Sequence, residues 1–437
     1  MALSRTQLHV APQALEEKLL PQALEETLLP QALEERLLPQ ALEERLLPQA
    51  LEERLLPQAL EERLLPQALE EKLLPQAVRA SPQATSAHDA AVAAWLWAIA
   101  AIVFLVIIVG GATRLTDSGL SITEWRPILG AIPPLSAADW QSAFAKYKEI
   151  PEYKLVNTGM SLDDFKVIFW WEWGHRFLGR LIGLAFAVPL AAFWALGWLR
   201  PGLAPKLVGV LALGGLQGAI GWYMVQSGLV ERIDVSQYRL ALHLTVAFLI
   251  LGIVVWLALG LAPDTRSPRL TTLTGAQRRR AWLIVGLVLS QVVLGAFVAG
   301  TKAGLSYNTW PLMDGRLVPA GLLTLAPWYV NVTENITAIQ FNHRIVAYVV
   351  LALALWHAIS LARAEDDERI SRTAVVLALA VVVQAVLGIA TLLLAHGRIP
   401  IGLGLAHQGG GAIVWAIAVW HAFRVTRGTV VKARASA

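Results

Sequence analysis

Eight apolar runs constrain this chain more than any other feature. They fall near residues 92–113, 176–198, 205–227, 239–262, 281–300, 341–362, 372–395 and 402–424. A run of about 20 apolar residues is long enough to cross the hydrocarbon core as a helix. Lipid supplies no hydrogen bonds to a bare backbone, so such a run must satisfy its own amides as a helix. Charge clusters and prolines mark the breaks, as at Arg200-Pro201 and Pro263-Asp264. With 56% hydrophobic residues and a mean hydropathy of +0.54, an ordinary soluble domain is excluded. The expected fold is an all-α integral membrane protein with eight transmembrane helices set in the lipid bilayer.

Charge sets the expected orientation. Residues 1–91 carry 8 Lys/Arg against 15 Asp/Glu, and the remainder carries 28 against 17. The basic excess in the membrane part reads as topogenic charge, not as a nucleic-acid surface. The side holding both termini carries fifteen Lys/Arg, from Arg79 and Arg200 through Arg278, Arg279 and Arg280 to Arg434. The short loops opposite carry Arg232, Lys302, Arg316 and Arg398. Cytoplasmic loops are enriched in Lys and Arg, so both termini are expected in the cytoplasm of a multi-pass bacterial inner-membrane protein. The first outer loop is also basic, but it is long, and long loops count for less.

Ahead of the spans, residues 12–77 repeat a nine-residue unit, PQALEERLL, about seven times. A proline every nine residues interrupts any helix after about two turns. Nine is not a usual solenoid period either. The tail lacks the apolar core of a secretory signal peptide. Residues 1–91 are read as this repeat tail and a linker, and 425–437 as a second tail.

The membrane part contains a duplication. Gly119-Leu120-Ser121 with Trp125-Arg126-Pro127 is echoed by Gly304-Leu305-Ser306 with Trp310-Pro311. Gln217-x-x-x-Gly221 is echoed by Gln384-x-x-x-Gly388, His175-Arg176 by His343-Arg344, and His243 by His407. The offsets lie near 164–188 residues. An even number of spans separates the copies, so the two four-helix bundles, 92–262 and 281–424, are expected to be parallel and pseudo-symmetric. Residues 263–280 form a cytoplasmic linker between them. The Gln and Gly positions also suit close helix packing within lipid.

Four histidines open four of the helices, one in each of the second, fourth, sixth and eighth spans, which all run from outside to inside. His175, His243, His343 and His407 should therefore lie at similar depth. Paired histidines can fill both axial positions of a haem iron. Without cysteine, thiolate metal sites and Cys nucleophiles are excluded. The pattern predicts two haem sites with His ligands to iron, His175 with His243 and His343 with His407. Arg176, Arg180 and Arg344 are candidate propionate partners, although arginines at such positions also snorkel to headgroups. Glu172 precedes His175 by one helical turn, and Gln340 holds the matching place before His343. His357 and His421 each follow a candidate ligand by 14 residues, about 21 Å of helix. That spacing could stack further haems as in a cytochrome b, but Pro189 and Leu257 stand at the equivalent places in the first half.

Several motifs together resemble one family. GGATRLTDSGLSITEWRPILGAIPPLS, Ala143-Phe144-Ala145-Lys146-Tyr147-Lys148 and FWWEWGHRFLGRLIG closely resemble haem A synthase of the alphaproteobacterial and mitochondrial type. The similarity runs from about residue 95 to 425. Some bacterial members carry a cysteine pair in the first outer loop that this chain lacks. The resemblance implies oxidation of the C8 methyl group of haem O to a formyl group, giving haem A for terminal oxidases. It implies that His343 and His407 hold a cofactor haem b and that His175 and His243 hold the substrate haem. It makes Glu172 essential. It also raises haem O synthase as a partner and requires an electron donor that the sequence does not name. The residues agree with this division. A carboxylate can stabilise positive charge or accept a proton, whereas Gln340 can only hydrogen-bond. Two other classes compete: a cytochrome b-like electron carrier, needing haems at His357 and His421, and a proton-coupled transporter, which would bind substrate near the midplane.

Overall fold

The computed structural model describes residues 82–230, 232–262, 269–271, 273–364 and 368–430. The nine-residue repeats and the last seven residues lie outside the described residues. In chain order the elements are α1 (Pro82–Leu115), α2 (Ala137–Tyr147), α3 (Pro151–Leu155), α4 (Leu162–Ala195), α5 (Leu203–Val230), α6 (Gln237–Gly260), β1 (Arg269–Thr271), α7 (Gly275–Gly300), α8 (Asn331–Glu334), α9 (Ile336–Ala362), α10 (Glu368–Leu393), α11 (Ile401–Arg427) and β2 (Gly428–Val430). Eight of them, α1, α4, α5, α6, α7, α9, α10 and α11, are long and apolar enough to cross a membrane. The protein is a multi-pass helical membrane protein. Among the described residues a small departure from all-α is a parallel pair, β1 with β2, joining the α6–α7 connection to the end of α11.

Several helices start where side chains cap them. Ser161 accepts from the amide of Asp164, and the Asp164 carboxylate accepts from the amide of Ser161. Thr274 and Gln277 do the same for α7, and Ser136 and Asp139 for α2. Each such box satisfies two amides that a helix start leaves orphaned. At α9, Asn335 accepts from the amides of Thr337 and Ala338.

Two boundaries differ from those expected. Residues 82–91, read as linker, are the first turns of α1. Asp89 is buried and pairs through both oxygens with Arg200 at 2.6 and 2.7 Å. The His88 ring stacks on Trp198 at 4.7 Å. An ion pair and a stacked ring anchor this end, so hydropathy does not mark it. Similarly α4 begins at Leu162, not at 176. Its first turns pack on the α1–α4 connection through Phe144, Tyr147, Phe165 and Phe169. His175 therefore lies 13 residues, about 20 Å, into its helix, beyond the first two turns that the sequence pattern predicts.

The spans close into two rings of neighbours: α1, α4, α5 and α6, then α7, α9, α10 and α11. The rings meet through α1 and α6 on one side and α7 and α11 on the other. One apolar core runs across that seam, from Leu96 and Val103 through Val254 and Ile284 to Val419. Small residues let the helices close up, as in lipid generally. A Cβ on Gly252 of α6 would sit 2.8 Å from Nε1 of Trp415 on α11. That indole donates to the carbonyl of Phe248 at 2.6 Å.

Candidate functional site

Each of the four predicted histidines lies against a glycine on a neighbouring helix. A Cβ on Gly110 of α1 would fall 2.8 Å from Cε1 of His175. The same construction gives 2.9 Å from Gly221 to His243, 3.2 Å from Gly295 to His343 and 2.8 Å from Gly388 to His407. Three of these glycines follow a glutamine by four residues. Gln217, Gln291 and Gln384 donate Nε2 to the backbone carbonyls of His243, His343 and His407 at 2.9, 3.0 and 2.7 Å. At the fourth, the residue four before Gly110 is Val106. Sequence reasoning missed Gln291 and Gly295, although the Gln-x-x-x-Gly pattern occurs there a third time.

The rings suit an axial role at a metal. The His343 and His407 centroids stand 6.5 Å apart with planes at 81°. A metal–imidazole bond of about 2 Å puts each ring centre about 3 Å from the metal, so an iron between two rings needs roughly this separation. Nδ1 of His175 and Nδ1 of His243 are buried without a hydrogen-bond partner. All four rings are only partly buried. Among the described residues, no group of three or more His, Cys, Asp or Glu could hold a bare ion. Paired imidazoles are a donor set that fits haem iron.

Glu172 sits one turn before His175 and is 2% exposed. Its Oε2 accepts from Oγ of Ser121 and from the amide of Ile122, both at 2.7 Å. Its Oε1 accepts from Nε and Nη2 of Arg176 at 3.1 and 2.6 Å. A buried charge is tolerated only when paired and hydrogen-bonded, and four donors meet that condition. The Gly119-Leu120-Ser121 turn repeated in the sequence supplies one of them through Ser121, and the next residue, Ile122, supplies a second. In the other half Gln340 is equally buried, but there the polarity is reversed. Gln340 donates Nε2 to the carbonyl of Tyr307 at 3.2 Å, where Glu172 accepts from the amide of Ile122. Each contact is to the residue after the repeated serine, Ser121 or Ser306.

The three arginines spend donors on the loops that follow α1 and α7. Arg176 binds the carbonyls of Ile122 at 2.8 Å and Glu124 at 3.2 Å. Arg180 binds those of Pro127 at 2.7 Å and Arg126 at 3.0 Å. Arg344 binds those of Tyr307 at 2.7 Å and Thr309 at 2.9 Å. Nη1 of Arg180 and Nε of Arg344 are left buried without a partner, and these remain for an anionic group.

His357 and His421 form a different kind of pair. Their Nε2 atoms are 2.9 Å apart, and both rings are buried. Oγ1 of Thr373 donates to the carbonyl of Ile370 at 2.8 Å, so it accepts from Nδ1–H of His421 at 2.8 Å. Nε2 of His421 is then the acceptor, and His357 donates to it. Two nitrogens joined by a hydrogen bond leave no space for an iron, which removes the stacked haem that a cytochrome b reading requires.

An eight-span bundle with paired imidazoles, one pair having a buried carboxylate a turn away, is the framework of a haem-handling membrane protein. The chain belongs to the family described as cytochrome oxidase assembly protein, whose profile matches residues 93–419. It is 56% identical over 334 residues to the heme A synthase of Chelativorans sp. (strain BNC1), covering 76% of this chain and 90% of that one. Against the heme A synthase of Agrobacterium fabrum (strain C58 / ATCC 33970) the identity is 53% over 334 residues, with 75% and 89% covered. Against that of Brucella ovis (strain ATCC 25840 / 63/290 / NCTC 10512) it is 50% over 334 residues, with 76% and 91% covered.

Proposed function

We propose that this chain is a haem A synthase, a membrane oxidoreductase that oxidises the C8 methyl group of haem O to a formyl group. The observation that carries the reading is the asymmetry between the two histidine pairs: Glu172 is a buried, four-donor carboxylate beside one pair, and Gln340 replaces it beside the other. Family membership and the three relatives support the same activity.

The first half, residues 92–262, takes haem O between His175 and His243. The second, residues 281–424, keeps a haem b between His343 and His407, and the halves are pseudo-symmetric. Bound haem supplies the redox chemistry at the reacting methyl. The protein supplies position and charge. Gly110 and Gly221 leave room for the rings, and Gln217 ties the His243 carbonyl. Glu172 offers a fixed negative charge where the methyl carbon becomes electron-poor, and it can accept a proton. Ser121, Ile122 and Arg176 hold it in place. Nη1 of Arg180 and Nε of Arg344 would pair with the propionates. Gln340 cannot take a proton, which suits a site that only passes electrons. The protein sits in the bacterial inner membrane with both termini cytoplasmic, receives haem O from a haem O synthase and draws on a separate electron donor.

The test is co-expression with a haem O synthase in a host that makes no haem A, followed by haem extraction and mass spectrometry. Haem A or its hydroxylated intermediate is expected. Bound haem b alone, with a working electron supply, would overturn the reading.

A further inference from the structure

The outer segment of the first half buries a second carboxylate that the proposed chemistry does not use. Glu152 opens no ion pair of its own and is 6% exposed. It lies in a cavity of about 30 Å³ with Thr113, Arg114, Asp117, Leu120 and Asp234. A space of that size holds a water or two. Its hydrogen bond comes from the hydroxyl of Tyr147 at 3.3 Å, and that hydroxyl accepts from Asn157 at 2.7 Å. The cations nearby are engaged with the rim. Arg114 pairs with Asp234 at 2.9 Å and Asp117 at 3.4 Å, and Lys302 with Asp234 at 3.2 Å and Asp117 at 3.5 Å.

Glu172 itself does not line the cavity, but Leu120 does, and the next residue, Ser121, donates to Glu172. Burial, and then the charges of Asp117, Glu172 and Asp234, push the Glu152 carboxyl up to about 8 against the hydrogen bond from Tyr147. The outer segment of the second half buries amides instead, Asn331 and Asn335.

From this geometry we infer that Glu152 is a proton relay between Glu172 and the outer aqueous phase, with the Ser121 hydroxyl at Glu172 and water beside Glu152 linking the two carboxyls and Asp117 and Asp234 forming the exit. The inference rests on the reading of Glu172 as the proton acceptor. The transfer is acid–base only. As an O–H bond breaks at Glu172, one forms on Oγ of Ser121, whose own proton passes to the cavity water and then to Glu152, as the proton that Glu152 held leaves to the rim. No electrons change hands.

The test uses the full chain with Glu152→Gln, Glu152→Asp and Glu172→Gln, all checked for haem content by absorption spectrum. Glu152→Gln should keep its haem and lose about a hundredfold in turnover, the low end of the range of proton-transfer catalysis. Glu152→Asp should recover part of it. Infrared titration of the unmodified protein should show a protonated carboxyl with a midpoint near 8 that is missing in Glu152→Gln. If Glu152→Gln does not fold, that titration decides alone, and no carboxyl titrating above pH 6 would overturn the relay. Turnover of Glu152→Gln equal to the parent, with Glu172→Gln inactive, would overturn the relay and leave Glu172 standing. An active Glu172→Gln would overturn the reading of Glu172 and the relay with it.

Discussion

A glycine against an imidazole is a small feature with a graded consequence. At Gly110 and Gly388 an added methyl would meet the histidine ring at 2.8 Å, and at Gly295 at 3.2 Å. Overpacking of this kind costs about 1–3 kcal/mol, roughly tenfold or more in affinity. Gly388→Ala should therefore weaken retention of the resident haem, and Gly295→Ala should do so less. Gly110→Ala should spare that haem and reduce binding of added haem O. Haem content by spectrum and a haem O titration check this ordering. Glu152 adds a pH dependence. Its carboxyl is neutral in both folded and unfolded chain below its ordinary value of 4.5, and in the folded chain stays neutral up to about 8. Between those limits the unfolded chain binds fewer protons, so stability falls as pH rises. Glu152→Gln should flatten the decline of Tm between pH 5 and 8. An unchanged slope would contradict the burial of that group.

At the scale of elements, the outer loop after α1 is latched by helix α4. Arg176 and Arg180 reach four of its carbonyls, Ile122, Glu124, Arg126 and Pro127. Removing Arg180 takes away two hydrogen bonds of about 1 kcal/mol each. Arg180→Ala should thus raise amide exchange across residues 122–130 by about tenfold, while the turn at Ser121 stays protected through Glu172. Hydrogen-exchange mass spectrometry reads both segments. These contacts also show what was legible in the sequence. Hydropathy located all eight spans, because lipid demands a long apolar run. It misplaced the starts of α1 and α4, because an Asp89–Arg200 pair and an aromatic cluster extend those helices beyond the apolar stretch. The four histidines and Glu172 were readable from the duplication. The loop carbonyls that occupy the arginines were not, since a backbone acceptor carries no residue signature. Glu152 was hidden as well, because its burial depends on how the outer segment folds back onto α4.

For the whole molecule, two rings of four helices meet along α1, α6, α7 and α11, and the histidine pairs divide between the rings. The rings differ at the far ends of these helices, since among the described residues the second ring carries the His357–His421–Thr373 chain. That chain ties α9, α10 and α11 together, so His421→Leu should lower Tm and leave haem content unchanged. Loss of a haem would instead revive the electron-carrier reading. Orientation is testable cleanly, because the sequence contains no cysteine. Leu317→Cys, 78% exposed in the α7–α9 loop, should react with a membrane-impermeant thiol reagent applied to intact cells stripped of their outer membrane. Arg363→Cys at the other end of α9 should react only after lysis. The reverse pattern would invert the proposed topology.

The central claim is that Glu172 makes one histidine pair a reaction site. The most direct measurement is the haem extracted from cells expressing the Glu172→Gln chain beside the parent, with haem O synthase present in both. The account predicts haem A from the parent. It predicts at least a hundredfold less from Glu172→Gln, as expected for a lost acid–base group, with the haem b of the second half retained. Equal haem A from both chains would contradict it.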